Sequence, residues 1–242
     1  MLLDGVRRGL AAGLLAGLAA GVFALLVGEP LLDAAIDLEQ ARTPLVPAEA
    51  EQVGVQVTRT QQKAFLVVGS GLTGAATGAL FGLAAAWSAG RTAGDAWSRS
   101  LKLGAVAVAA LVLLPWVKYP PNPPGVGDPA TVQQRSALYL GLQTAGLVVV
   151  AGAWGAARRL TRAGLWRPGR QGLVGLAVVT LAGAAVMAFP DLREPVEVPA
   201  SLLWQFRLVS LGTQLIVYGG TAVAFGMLAA RGQPRAAAPH LA

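Results

Sequence analysis

A helical membrane bundle is the fold class this sequence predicts: all-α and polytopic, with about six transmembrane helices and a proline-rich loop on the outer side. Three observations carry that expectation. The 242 residues are 55% hydrophobic and only 13% charged, with a mean hydropathy of +0.58, whereas a soluble domain carries about 25% charged residues. The charges are confined between apolar runs of about 17 to 25 residues, the length that crosses a hydrocarbon core as a helix. One stretch, Lys118 to Arg135 (KYPPNPPGVGDPATVQQR), interrupts the apolar pattern with prolines at 120, 121, 123, 124 and 129. Each proline lacks an N–H, fixes φ and pushes the preceding residue out of the helical basin, so the stretch runs extended or in turns. Built on proline rather than glycine and serine, it is a stiff loop.

Six spans are expected, at Val6 to Gly28, Ala64 to Trp87, Leu101 to Val117, Ser136 to Ala157, Gly172 to Phe189 and Gln205 to Ala230. They form a single transmembrane domain over 1–230, followed by a short tail over 231–242. The first run follows Arg7 and Arg8 as a secretory signal would. It is too long for a signal's apolar region, however, and ends in Gly28-Glu29-Pro30 without a small-x-small cleavage site, so it reads as a span of the mature protein.

Gly5, Gly9, Gly13, Gly17 and Gly21 recur every four residues in the first span, as do Ser70, Gly74, Gly78 and Gly82 in the second. Such stripes let two backbones approach closely, and they predict that these spans pack against each other. Gln143 and Thr144 in the fourth span, and Thr213 and Gln214 in the sixth, are expected to bond across helices in the bundle interior. No Asp or Glu lies inside an apolar run, which argues against a proton relay through buried carboxylates. Six spans allow inverted three-plus-three repeats, but the two halves share no convincing similarity.

Basic residues set the orientation. With the N-terminus in the cytoplasm, the inner segments hold 12 Lys and Arg against Asp4 and Asp95, a balance of +10. The outer segments hold 7 basic residues against 10 acids, a balance of −3. Both termini are therefore expected in the cytoplasm, and the basic excess is a positive-inside pattern rather than a nucleic-acid surface. Cysteine is absent and the single histidine is His240. That inventory excludes thiolate metal sites, thiol nucleophiles and histidine-based catalysis within the membrane. No Walker A loop or nucleotide fold supplies an energy source.

The oxygen chemistry lies on the outer side. Pro30 reads as the first residue of a short outer helix with Glu29 as its cap. Glu29, Asp33 and Asp37 then follow at i, i+4 and i+8, drifting about 40° per step, with Glu39 just beyond. Hard and borderline divalent cations favour such ligands. In the proline loop, Tyr119, Asn122, freed backbone carbonyls and Asp128 add further oxygens, and Asp128 before Pro129 also reads as an N-cap. Glu29, Asp33, Asp37, Glu39, Asn122 and Asp128 are the candidate metal residues. A salt-bridge cluster with Arg59, Lys63, Lys118 and Arg135 is the competing reading of the same acids.

Several of these pieces resemble the CbtA family of cobalt transporter subunits. They are the glycine-rich first span ending in Glu29-Pro30 with Asp33, Ile36 and Glu39 beyond; VTRTQQK at Val57 to Lys63; the second span ending GALFGLAAAW; and KYPPNPPGVGDP followed by Gln134, Arg135 and Tyr139. The resemblance covers about the first 140 residues, and the later spans match only in hydropathy. It implies a bacterial plasma-membrane protein of cobalt uptake, beside a small CbtB-like subunit with a His-rich tail. No resident cofactor is expected, Co²⁺ being cargo. The partners are then the lipid bilayer, a divalent cation and the small subunit, with no nucleic acid and no enzymatic activity. The alternative is a non-transporting membrane scaffold whose salt-bridged outer cap docks another protein.

Overall fold

The computed structural model describes residues 2–42, 58–92, 94–123, 126–127, 129–192 and 198–231. Six helices among them are long and apolar enough to cross a membrane. In order they are α1 (Leu2–Phe23), continued through a π-helical turn (Ala24–Gly28) into α2 (Glu29–Arg42); α3 (Arg59–Ser88); α4 (Ala96–Ala107), continued through a second π segment (Val108–Leu113) into α5 (Leu114–Lys118); α6 (Val132–Arg162); α7 (Arg167–Ala188); and α8 (Ala200–Arg231). A 3₁₀ turn, Pro129–Thr131, precedes α6. The six expected spans lie in these helices, except that the fifth runs one residue past the end of α7, to Phe189. Large apolar side chains stay exposed along them, including Leu80 at 70%, Val179 at 70% and Met187 at 79%. Water would oppose that exposure, whereas lipid accommodates it.

One local expectation is corrected. Pro30 does not open a separate helix: the helix runs on from α1 through Pro30 into α2. Proline in a helix interior removes one hydrogen bond, and its ring presses on the carbonyl four residues back. Widening the preceding turn to π geometry, over Ala24–Gly28, relieves that clash. The same device recurs at Pro115, which follows the π segment Val108–Leu113.

These prolines also bring out a sequence repeat at thirds rather than halves. Ala24-Leu25-Leu26-Val27-Gly28-Glu29-Pro30, Ala109-Ala110-Leu111-Val112-Leu113-Leu114-Pro115 and Ala184-Ala185-Val186-Met187-Ala188-Phe189-Pro190 share one pattern at the outgoing end of the first, third and fifth spans. The return spans correspond too. Gln61-Gln62-Lys63, Leu66, Gly69 and Gly74 match Gln133-Gln134-Arg135, Leu138, Gly141 and Gly146, and Leu140-Gly141-Leu142-Gln143 matches Leu211-Gly212-Thr213-Gln214.

The chain divides into two compact units, Met1–Leu26 with Val55–Ala105 and Gly212–Ala242, and Val27–Gly54 with Val106–Leu211. In the first unit α1 and α3 cross with their glycine stripes in register. A Cβ on Gly9 would stand 2.1 Å from the carbonyl oxygen of Gly78, and one on Gly13 2.0 Å from that of Gly74. Only glycine permits this, and its Cα hydrogens are then aimed at the facing carbonyls. Around the stripe, Phe81 meets Phe225 edge-on at 5.5 Å, and Ala12, Ala222 and Ala229 complete the core. Ser100 Oγ donates to the Ala222 carbonyl at 2.6 Å, tying α4 to α8. Asp95 caps α4 by accepting from the Ser98 N–H at 2.8 Å. The Ser98 hydroxyl, and after it that backbone bond, hold the Asp95 carboxyl below its usual range.

In the second unit α6 and α7 form a hairpin. α6 ends in a Schellman turn: Leu165 N–H donates to Leu160, Gly164 N–H donates to Thr161, and Gly164 takes φ 74°. Gln143 Nε2 donates to the Leu111 carbonyl at 2.8 Å, the interhelical role expected of it. Leu111 stands four residues before Pro115, which has no N–H to offer it. At the neighbouring carbonyl, Ala110, a Cβ on Gly146 would come within 2.7 Å.

Candidate cation site and its proline loop

The continuous helix sets the depths of the four acids on α2. Glu29, at the kink, is buried at 7% exposure. Asp33, one turn on, is half-buried, while Asp37 and Glu39 are exposed. The helical spacing expected for Glu29, Asp33 and Asp37 is present, and it forms a gradient from solvent to a buried carboxylate at a π turn. π turns inserted in helices are frequent at functional sites. Among the described residues no three His, Cys, Asp or Glu side chains gather closely enough to hold a metal ion. A cation at Glu29 would therefore complete its shell with carbonyl, amide or water oxygens.

The proline loop is fastened to the chain around α7 and α8 at several points. Lys118 Nζ meets Asp191 Oδ1 at 2.5 Å. Tyr119 Oη donates to the Pro190 carbonyl at 2.7 Å, and Arg207 Nη2 donates to Asn122 Oδ1 at 2.8 Å. Behind them, Trp116 Nε1 donates to the Arg207 carbonyl at 3.4 Å, and the rings of Trp116 and Trp204 lie 6.2 Å apart. Pro123 and Val126 are buried, and the Val126 N–H closes a turn onto the Pro123 carbonyl at 3.3 Å. Among the described residues, these contacts tie the loop at Lys118, Tyr119 and Asn122. Burial raises the Tyr119 phenol above its ordinary value, with the Lys118 charge opposing and Asp191 adding to the shift.

The side-chain oxygen of Asn122 is engaged by a guanidinium, and Asp128 lies outside the described residues. Lys118, expected as a counter-charge to the α2 acids, is paired with Asp191. Sequence reasoning did not single out Asp191 and Arg207 as loop anchors. They lie 73 and 85 residues from their partners, so no local spacing marks them.

A family model described as "Probable cobalt transporter subunit (CbtA)" matches residues 4–230, extending the likeness through the later spans. No curated protein and no solved structure matches the chain.

Proposed function

Because the chain belongs to the CbtA family of cobalt transporter subunits, we propose that it takes up Co²⁺ through a site centred on Glu29. The observation that carries this reading is a carboxylate only 7% exposed, set where a π turn and Pro30 interrupt a membrane helix. The repeat adds weight. The residues matching Glu29 in the other two copies are Leu114 and Phe189, so a carboxylate here is no requirement of the pattern. Carboxylate oxygens of this kind are the ligands that hard and borderline divalent cations favour.

Asp37 and Glu39 concentrate cations at the mouth, and Asp33 passes them inward to Glu29. The proline loop, including Asn122 and Asp128, forms the outer vestibule, and its anchors to Asp191, Pro190 and Arg207 set whether that vestibule is closed. In this reading the protein sits in a bacterial plasma membrane with both termini cytoplasmic. A small CbtB-like membrane subunit brings imidazole ligands or coupling that this chain lacks.

Isothermal titration of purified protein with Co²⁺ tests the site. Glu29→Gln is expected to abolish saturable binding, and Asp33→Asn to weaken it about tenfold, the effect of losing roughly 1.4 kcal/mol. Undiminished binding in Glu29→Gln would remove Glu29 from the site.

A further inference from the structure

Within the first unit a cavity of about 270 Å³ opens beside the N-terminal turns of α1 and the end of α3. Its lining is divided by chemistry. Gly5, Ala89 and Phe225 belong to an apolar floor, while Arg8, Arg99 and Asp4 bring charge. Both arginines are half-buried, so their guanidinium groups are partly desolvated. Arg99 is held in place by donating Nη1 to the Gly94 carbonyl, which uses one of its five donors. Asp4 lies four residues before Arg8 on the same helix, a spacing that pairs opposite charges, and the formal charge of the lining stays at +1.

Two guanidinium groups repel a divalent cation, so this cavity is no station on a Co²⁺ route. They match a phosphate, which they can grip through paired N–H donors. Basic pockets between transmembrane helices at the membrane face are where anionic headgroups bind, and the apolar floor suits the first carbons of an acyl chain. We propose that this cavity binds the phosphate of an anionic phospholipid headgroup at the membrane face that carries the N-terminus. The proposal is independent of the cobalt reading.

The test uses full-length protein in neutral detergent, titrated with phosphatidylglycerol, with phosphatidylcholine and, separately, with inorganic phosphate, and read by native mass spectrometry. Phosphatidylglycerol is expected to bind at least about tenfold more tightly than phosphatidylcholine. Arg8→Gln/Arg99→Gln should lose that preference, and Arg159→Gln/Arg162→Gln should keep it. Ala89→Phe, which fills the cavity and leaves both arginines, should also lose it and decides the matter if the double arginine variant does not fold. Inorganic phosphate that binds alone, with the same dependence on Arg8 and Arg99, would overturn the lipid assignment and make the cavity a site for a soluble phosphate. A preference unchanged in Ala89→Phe, or lost equally in the Arg159/Arg162 variant, would overturn the site.

Discussion

Gln143 donates its amide to the Leu111 carbonyl at 2.8 Å, and Leu111 stands four residues before Pro115. The proline withdraws a backbone donor inside a membrane helix, where water cannot replace it, and a glutamine on the next span supplies the substitute. Gln143→Leu should therefore cost about 1 to 2 kcal/mol, read as a lowered unfolding midpoint in detergent. Pro115→Ala restores the backbone N–H, so the cost of Gln143→Leu should shrink in that background. An equal cost in both backgrounds would show that the two residues are not coupled.

The α1–α3 crossing makes a sharper demand. Gly9→Ala and Gly13→Ala each place a methyl about 2 Å from a facing carbonyl oxygen, a clash that only helix separation relieves. Both should abolish or strongly reduce the monodisperse folded fraction in size-exclusion chromatography. Gly69→Ala and Gly152→Ala have nothing within 4 Å of the added methyl, and they should be neutral or slightly stabilising, since alanine is the better helix former.

The loop anchors should be unequal. Asp191 is 71% exposed, so Asp191→Asn is expected to cost less than about 1 kcal/mol. Tyr119→Phe removes a bond to the Pro190 carbonyl and should cost about 1 kcal/mol. Limited proteolysis between residues 119 and 131 reports both, with Tyr119→Phe the faster to be cut.

Tyr119 also makes a pH prediction. Its folded pKa lies above the unfolded value of 10.0, so the folded chain holds the phenol proton more tightly. That contribution is fully present below pH 10 and is lost as pH rises through the folded value. Phenolate absorbance should show a component ionising above the ordinary range in wild type that is lost in Tyr119→Phe.

Much of this architecture is legible in the residues. Apolar run length marks the six spans, and the four-residue glycine spacing foretells the α1–α3 contact because small side chains at one helix face have few other uses in lipid. Span ends are less legible. α4 starts at Ala96 rather than Leu101 because Asp95 and Ser98 cap it, a polar signal outside any apolar window. The continuity of α1 into α2 is hidden because a proline just beyond an apolar run, as in Gly28-Glu29-Pro30, normally signals a new helix, and a π turn leaves no periodic trace. The Lys118–Asp191 and Asn122–Arg207 pairs are hidden for another reason: they join segments that only the folded chain brings together.

In the proposed site, oxygen ligands around Glu29 hold the cobalt. X-ray absorption at the cobalt edge on purified, Co²⁺-loaded protein tests it most directly. A first shell of oxygens alone is expected, present in wild type and in Asp37→Asn and absent in Glu29→Gln. A nitrogen-containing shell traced to His240, or an unchanged oxygen shell in Glu29→Gln, would contradict it.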